Sequence, residues 1–133
     1  MEGGSTIVIT SASDIIVARE LGRKIGKELN FSLTDLTIIA TVISELARNI
    51  IVFAKQGNIV IETIRQGKKV GIVITAIDKG PGIPDIFLAM QDGYSTGKGL
   101  GLGLPGVRRL VDEFEIFSET AKGTKVLAKK WLL

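Results

Sequence analysis

The 133-residue chain carries 17 Lys+Arg against 14 Asp+Glu, a formal net charge of +3, with 45% hydrophobic residues and neither cysteine nor histidine. Length and apolar content suffice for one domain with its own core over residues 1–133. The missing residue types exclude disulfides, Cys/His zinc sites, thiol or imidazole nucleophiles, and phosphorylation on a histidine of the chain itself.

Any metal must therefore be held by oxygen. The basic pairs Lys68-Lys69, Arg108-Arg109 and Lys129-Lys130 are scattered, without a basic stripe or aromatic platform, and read as solvated surface. No nucleic-acid partner is expected. No signal-peptide pattern opens the chain and no apolar run approaches membrane length, so a cytoplasmic protein without a membrane partner is expected.

Ser5 to Thr10 alternates apolar and polar residues and predicts a short strand, after which Ser11-Ala12-Ser13-Asp14 offers a capping box. The helix that follows buries Ile15, Ala18, Leu21, Ile25 and Leu29 and turns Arg19, Glu20, Arg23, Lys24, Lys27 and Glu28 to water. Gly22 and Gly26 lie one turn apart beside that stripe. Glycine costs a helix stability, so close helix packing is the expected compensation.

A second helix is predicted from Ser32, with Asp35 three residues on, to about Lys55. Leu36, Ile39, Ala40, Ile43, Leu46, Ala47, Ile50, Phe53 and Ala54 form its main stripe, while Glu45 and Asn49 lie on the opposite side with Ile38, Val42 and Val52. A solvated face would not carry so many branched aliphatics. Both sides of this helix should be covered, with Glu45 and Asn49 at the floor of a cavity.

Gly57-Asn58 turns the chain into strands Ile59 to Ile64 and Val70 to Ile77, joined by a loop over 65–69. The second strand is apolar nearly throughout and should be central, ending at Asp78. A short helix is predicted over Asp85 to Gln91, a flexible loop over Asp92 to Gly101 and a helix over Leu102 to Val111. Phe114 to Ser118 and Thr124 to Trp131 should form a hairpin around Ala121-Lys122-Gly123. The order predicts an α/β two-layer sandwich, with helices on one face of a mixed sheet.

Three stretches carry the chemistry. An aspartate ending a buried strand, Asp78, can accept a hydrogen bond from the exocyclic amine of adenine, where guanine presents a carbonyl; Asp78-Lys79-Gly80-Pro81-Gly82 is equally good turn chemistry. The glycine-rich run from Gly97 to Leu104 can wrap phosphates with backbone N–H groups and aim the following helix at them. It is not a P-loop, because Gly93 to Gly99 has one residue too few between its glycines and Gly99 where a magnesium hydroxyl belongs. It is not a dinucleotide fingerprint either, since it comes late in the chain. Asn49 offers an amide oxygen suited to Mg²⁺, and Glu45, one turn earlier, can accept a proton from an attacking hydroxyl. Arg48 suits either a phosphate contact or a surface pair.

Together, Glu45 to Asn49, Asp78 to Ile83 and Gly97 to Leu104 resemble the N, G1 and G2 boxes of the GHKL ATPase superfamily (gyrase, Hsp90, histidine kinase, MutL), and Gly123-Thr124 is similar to its G3 element. Nearly the whole chain resembles the anti-sigma-factor kinase branch, serine/threonine kinases of bacterial partner-switching systems. Ser44 to Asn49, Asp92 to Thr96 and Gly103 to Phe114 are most similar to switch kinases of the stressosome.

The resemblance implies the Bergerat fold and ATP with Mg²⁺ as cofactors. Asn49 would be the metal ligand, Asp78 the adenine acceptor and Glu45 the catalytic base beside Arg48. Further nucleotide contacts would come from Gly80, Gly82, Ile83, Lys98, Gly99, Leu100, Gly101, Leu102, Gly103, Leu104 and Thr124. It also implies phosphorylation of STAS-domain proteins, followed by release to activate a PP2C-type phosphatase. The alternatives are an anti-sigma factor that sequesters its sigma subunit, and a nucleotide-gated binding module that needs Asn49 and Asp78 but not Glu45. Gyrase-like or Hsp90-like machines are not expected, as the chain has no room for their transducer domains. Nor is a histidine kinase core, as no dimerisation helices precede the ATP domain.

Overall fold

Ser32 caps a long helix by accepting the Asp35 N–H at 3.1 Å, and Asp14 ties down a shorter one by accepting the N–H groups of Thr10 at 2.9 Å and Ser11 at 3.1 Å. These caps start the two main helices of the computed structural model, which describes residues 4–82 and 103–132. The elements run β1 (Gly4–Ile9), α1 (Ala12–Glu28), α2 (Leu33–Ala54), β2 (Gly57–Gln66), β3 (Lys69–Asp78), α3 (Gly103–Leu110), β4 (Glu113–Glu119) and β5 (Gly123–Trp131). The helix predicted over 85–91 and the loop over 92–101 lie outside the described residues.

The five strands form one sheet in the order β1-β2-β3-β5-β4, with β3 central as its apolar sequence requires. Among the described residues the sheet is not mixed: all four pairings are antiparallel. Two topological facts replace the expected parallel contact. Between β1 and β2 the chain reverses three times, into α1, into α2 and out of α2, so β2 returns antiparallel to β1. The crossover from β3 does bring β4 back in the direction of β3, but β5 inserts between them and pairs with both.

One face of the sheet contributes Ile59, Ile61, Ile72, Ile74, Ala76, Val126 and Ala128 to a core completed by Ile39, Val42, Ile43, Leu46 and Ile50 of α2. Each buried aliphatic of this size is worth about 1.5–3 kcal/mol. Gly22 and Gly26 are buried where α1 crosses α2, and a methyl at Gly26 would come within 2.7 Å of Leu36 Cδ2, so the expected close packing is present. Asp35 does not complete a reciprocal cap through any bond described here; its carboxylate lies 3.6 Å from Lys130 Nζ, joining the start of α2 to β5.

α2 is covered on two sides, with Val42 fully buried and Glu45 6% exposed, although Val52 on the same side is 41% exposed. With 22 residues and a mean hydropathy of 1.7, α2 is long and apolar enough to cross a membrane, contrary to the expectation that no such run exists. Burial between α1 and the sheet accounts for that apolarity.

Candidate functional site

Leu46, Asn49, Ile50 and Phe53 recur at helical spacing along α2, and together they wall a small recess of about 20 Å³. Its floor is the ladder end where Ala76 pairs with Val126 and Asp78 with Thr124, and Leu104 of α3 closes one side. The walls are apolar apart from Asn49, Asp78 and Thr124.

Asp78 is half-buried, and both of its hydrogen bonds fall on Oδ1, which accepts the Gly80 N–H at 2.9 Å and the Thr124 N–H at 3.3 Å. Asp78 therefore does serve as a turn residue, through one oxygen, while Oδ2 keeps its acceptor capacity for a ligand donor. The turn and the β5 start must approach very closely for this. Gly123 has φ +109°, and a side chain there would collide with the Asp78 carbonyl oxygen, so only glycine fits. Thr124 is fixed in turn by its hydroxyl, 2.9 Å from Ser118 Oγ.

The predicted site residues divide. Asn49, Asp78, Leu104 and Thr124 converge on the recess. Gly80 packs against Ala54, Gly82 (φ +83°) against the Glu119 carbonyl, and Gly103 (φ +68°) opens α3; none of these three glycines lines the recess. Ile83, Lys98, Gly99, Leu100, Gly101 and Leu102 lie outside the described residues.

Glu45 and Arg48 line a different space, a groove between α1 and α2 shared with Arg19, Arg23, Thr41 and Ser44. Arg48 Nη1 donates to Glu45 Oε2 at 2.9 Å, an ion pair within α2. Among the described residues, the recess takes Asn49 and the groove takes Glu45. Four residues at about 100° each leave a 40° offset around the helix, enough to put Asn49 beside the sheet and Glu45 toward α1. Sequence reasoning placed Phe53 in the core stripe and passed over Ser118. The first is half-exposed in the recess wall, and only its place at i+4 from Asn49 signals this; nothing local signals the second.

The donor set suits the groups the fold implies. A free carboxylate oxygen above apolar walls suits the amine edge of an adenine ring. No cluster of three or more carboxylate, histidine or cysteine ligands exists among the described residues, so a metal here would rest on Asn49, phosphate and water, the sparse protein coordination that Mg²⁺ accepts.

Residues 34–132 match the family of histidine kinase-, DNA gyrase B- and HSP90-like ATPases. Over 132 residues, covering 99% of both chains, the protein is 51% identical to the serine/threonine-protein kinase RsbT of Bacillus subtilis. It is 32% identical to an anti-sigma F factor of Thermoanaerobacter sp., covering 86% of this chain and 83% of that one. The fold matches a mycobacterial sensor histidine kinase, MprB (TM-score 0.54, 13% identity, 98% and 97% covered), and the catalytic domain of histidine kinase ThkA (TM-score 0.52, 18% identity, 95% of each covered). The chain therefore belongs to the histidine kinase-, gyrase- and HSP90-like ATPases, in the branch that holds RsbT and the anti-sigma F factors.

Proposed function

We propose that the protein is an ATP- and Mg²⁺-dependent serine/threonine kinase of a bacterial partner-switching pathway, acting on STAS-domain proteins and then engaging a PP2C-type phosphatase. The observation that carries the reading is the convergence of Asn49 from α2, Asp78 from β3 and Thr124 from β5 on one apolar-walled recess. The 51% identity to RsbT over nearly the full chain supports the serine/threonine specificity.

Bound Mg-ATP supplies the phosphoryl group and the charge neutralisation that transfer requires. The chain's own residues do the rest. Asp78 selects adenine through Oδ2, held in place by the two N–H groups on its other oxygen. Asn49 contributes an amide oxygen at the mouth of the recess. Glu45 accepts the proton of a serine or threonine hydroxyl, with the Arg48 guanidinium orienting its carboxylate. The partner hydroxyl would reach Glu45 from the groove between α1 and α2.

Glu45→Gln tests this. The amide keeps size and a hydrogen bond to Arg48 but cannot take a proton, so label transfer from ATP to a STAS-domain protein should fall by about 10²–10⁴, with ATP binding intact by calorimetry. Turnover within a few-fold of the parent would remove Glu45 from the chemistry. The anti-sigma F factors at 32% identity support a second reading, direct sequestration of a sigma subunit. A pull-down against sigma factors and STAS proteins separates the two.

A further inference from the structure

We propose that the outer corner of the sheet, where β3 ends against the β4-β5 hairpin, is a docking surface for an acidic, leucine- or isoleucine-bearing segment of a partner protein. The strand register sets Ile77, Lys125 and Phe117 side by side in one cross-strand row. Their neighbours Ala76, Val126 and Ile116 belong to or pack against the core, so alternation puts this row on the face away from the helices.

Phe117 is 56% exposed in an edge strand whose other outward residues are Glu113, Glu115 and Glu119. One exposed phenylalanine needs no explanation. Here it borders a broad concavity of about 650 Å³, lined also by Ile77, Lys79, Lys122 and Lys125. The carboxylates lining it are Glu119 and Asp78. Glu119 lies 3.6 Å from Lys122, and Asp78 turns an oxygen to Gly80 and Thr124. Lys79 and Lys125 make no ion pair among the described residues, so the surface sets two lysines without an ion pair beside an apolar centre.

The corner is also held in advance of binding. The Ala121 N–H donates to the Pro81 carbonyl and the Lys122 N–H to the Glu119 carbonyl, both at 2.9 Å, so little ordering entropy remains to be lost. A second copy of the chain is a poor occupant. It would bring Lys79 and Lys125 against a patch of the same sign, whereas carboxylates flanking an aliphatic side chain satisfy the lysines and cover Phe117 and Ile77 together. This surface goes beyond the kinase reading and does not depend on it.

The test uses the full chain and a fluorescein-labelled peptide of alternating Glu, Leu and Asp, read by fluorescence anisotropy at low and high salt. Saturable binding should weaken about tenfold in Lys125→Glu and in Phe117→Ser, and high salt should weaken binding by the parent; a peptide with lysine in place of its acids should not bind. Both positions are exposed, and thermal melts check that the variants fold. No binding by the parent, or variants within twofold of it, would overturn the proposal. So would sedimentation showing a parent dimer that Phe117→Ser dissociates, which would make the surface a self-interface.

Discussion

Asp78→Asn separates the turn role of this carboxylate from the adenine contact proposed for it. Oδ1 already accepts the Gly80 and Thr124 N–H groups at 2.9 and 3.3 Å, and an asparagine can hold both with its carbonyl oxygen. Its amide nitrogen then stands where Oδ2 was, presenting donors to the adenine amine in place of a charged acceptor. A hydrogen bond to a charged group is worth about 1.5–3 kcal/mol, so ATP affinity should fall roughly ten- to 150-fold while the fold survives. The donor now offered suits the guanine carbonyl, so the ratio of ATP to GTP affinity should fall further than ATP affinity alone implies. Asp78→Ala should behave differently, since it strands two backbone N–H groups at about 1–3 kcal/mol each and must destabilise the ladder end. Calorimetry with ATP and GTP, beside thermal melts of both variants, reads all of this. Normal ATP binding by a folded Asp78→Asn protein would show that the carboxylate serves only the turn.

Asn49→Ala should remove the protein's contribution to the metal, so titrations with and without Mg²⁺ should converge; equal metal enhancement in variant and parent would place the ion elsewhere. Gly123→Ala forces a side chain into φ +109° against the Asp78 carbonyl and should cost about 1–3 kcal/mol, seen as a lower denaturation midpoint together with weaker ATP binding. The N–H and hydroxyl of Thr10, opposed by some desolvation and aided by Ser11, hold the Asp14 carboxyl below its ordinary 3.8. A depressed folded-state value stabilises the fold fully above the ordinary value and loses that contribution as pH falls through the lowered one, so Asp14→Asn should be less stable than the parent at neutral pH and show a shallower acid limb in pH-dependent melts.

Local chemistry was legible wherever a residue's role is fixed by its near neighbours. The Ser32 cap, the two-sided burial of α2, the glycine contact between α1 and α2, the central place of β3 and the hairpin closing at Gly123 all follow from spacing and residue type. Strand direction and site composition were less so, because each depends on where distant segments end up. Nothing in β4 or β5 says that β5 will insert beside β3, yet that insertion makes the sheet antiparallel and delivers Thr124 to Asp78. Nothing in α2 says which of its two covered sides meets the sheet, yet that choice sends Asn49 to the recess at the ladder end and Glu45 to the groove beside Arg19 and Arg23.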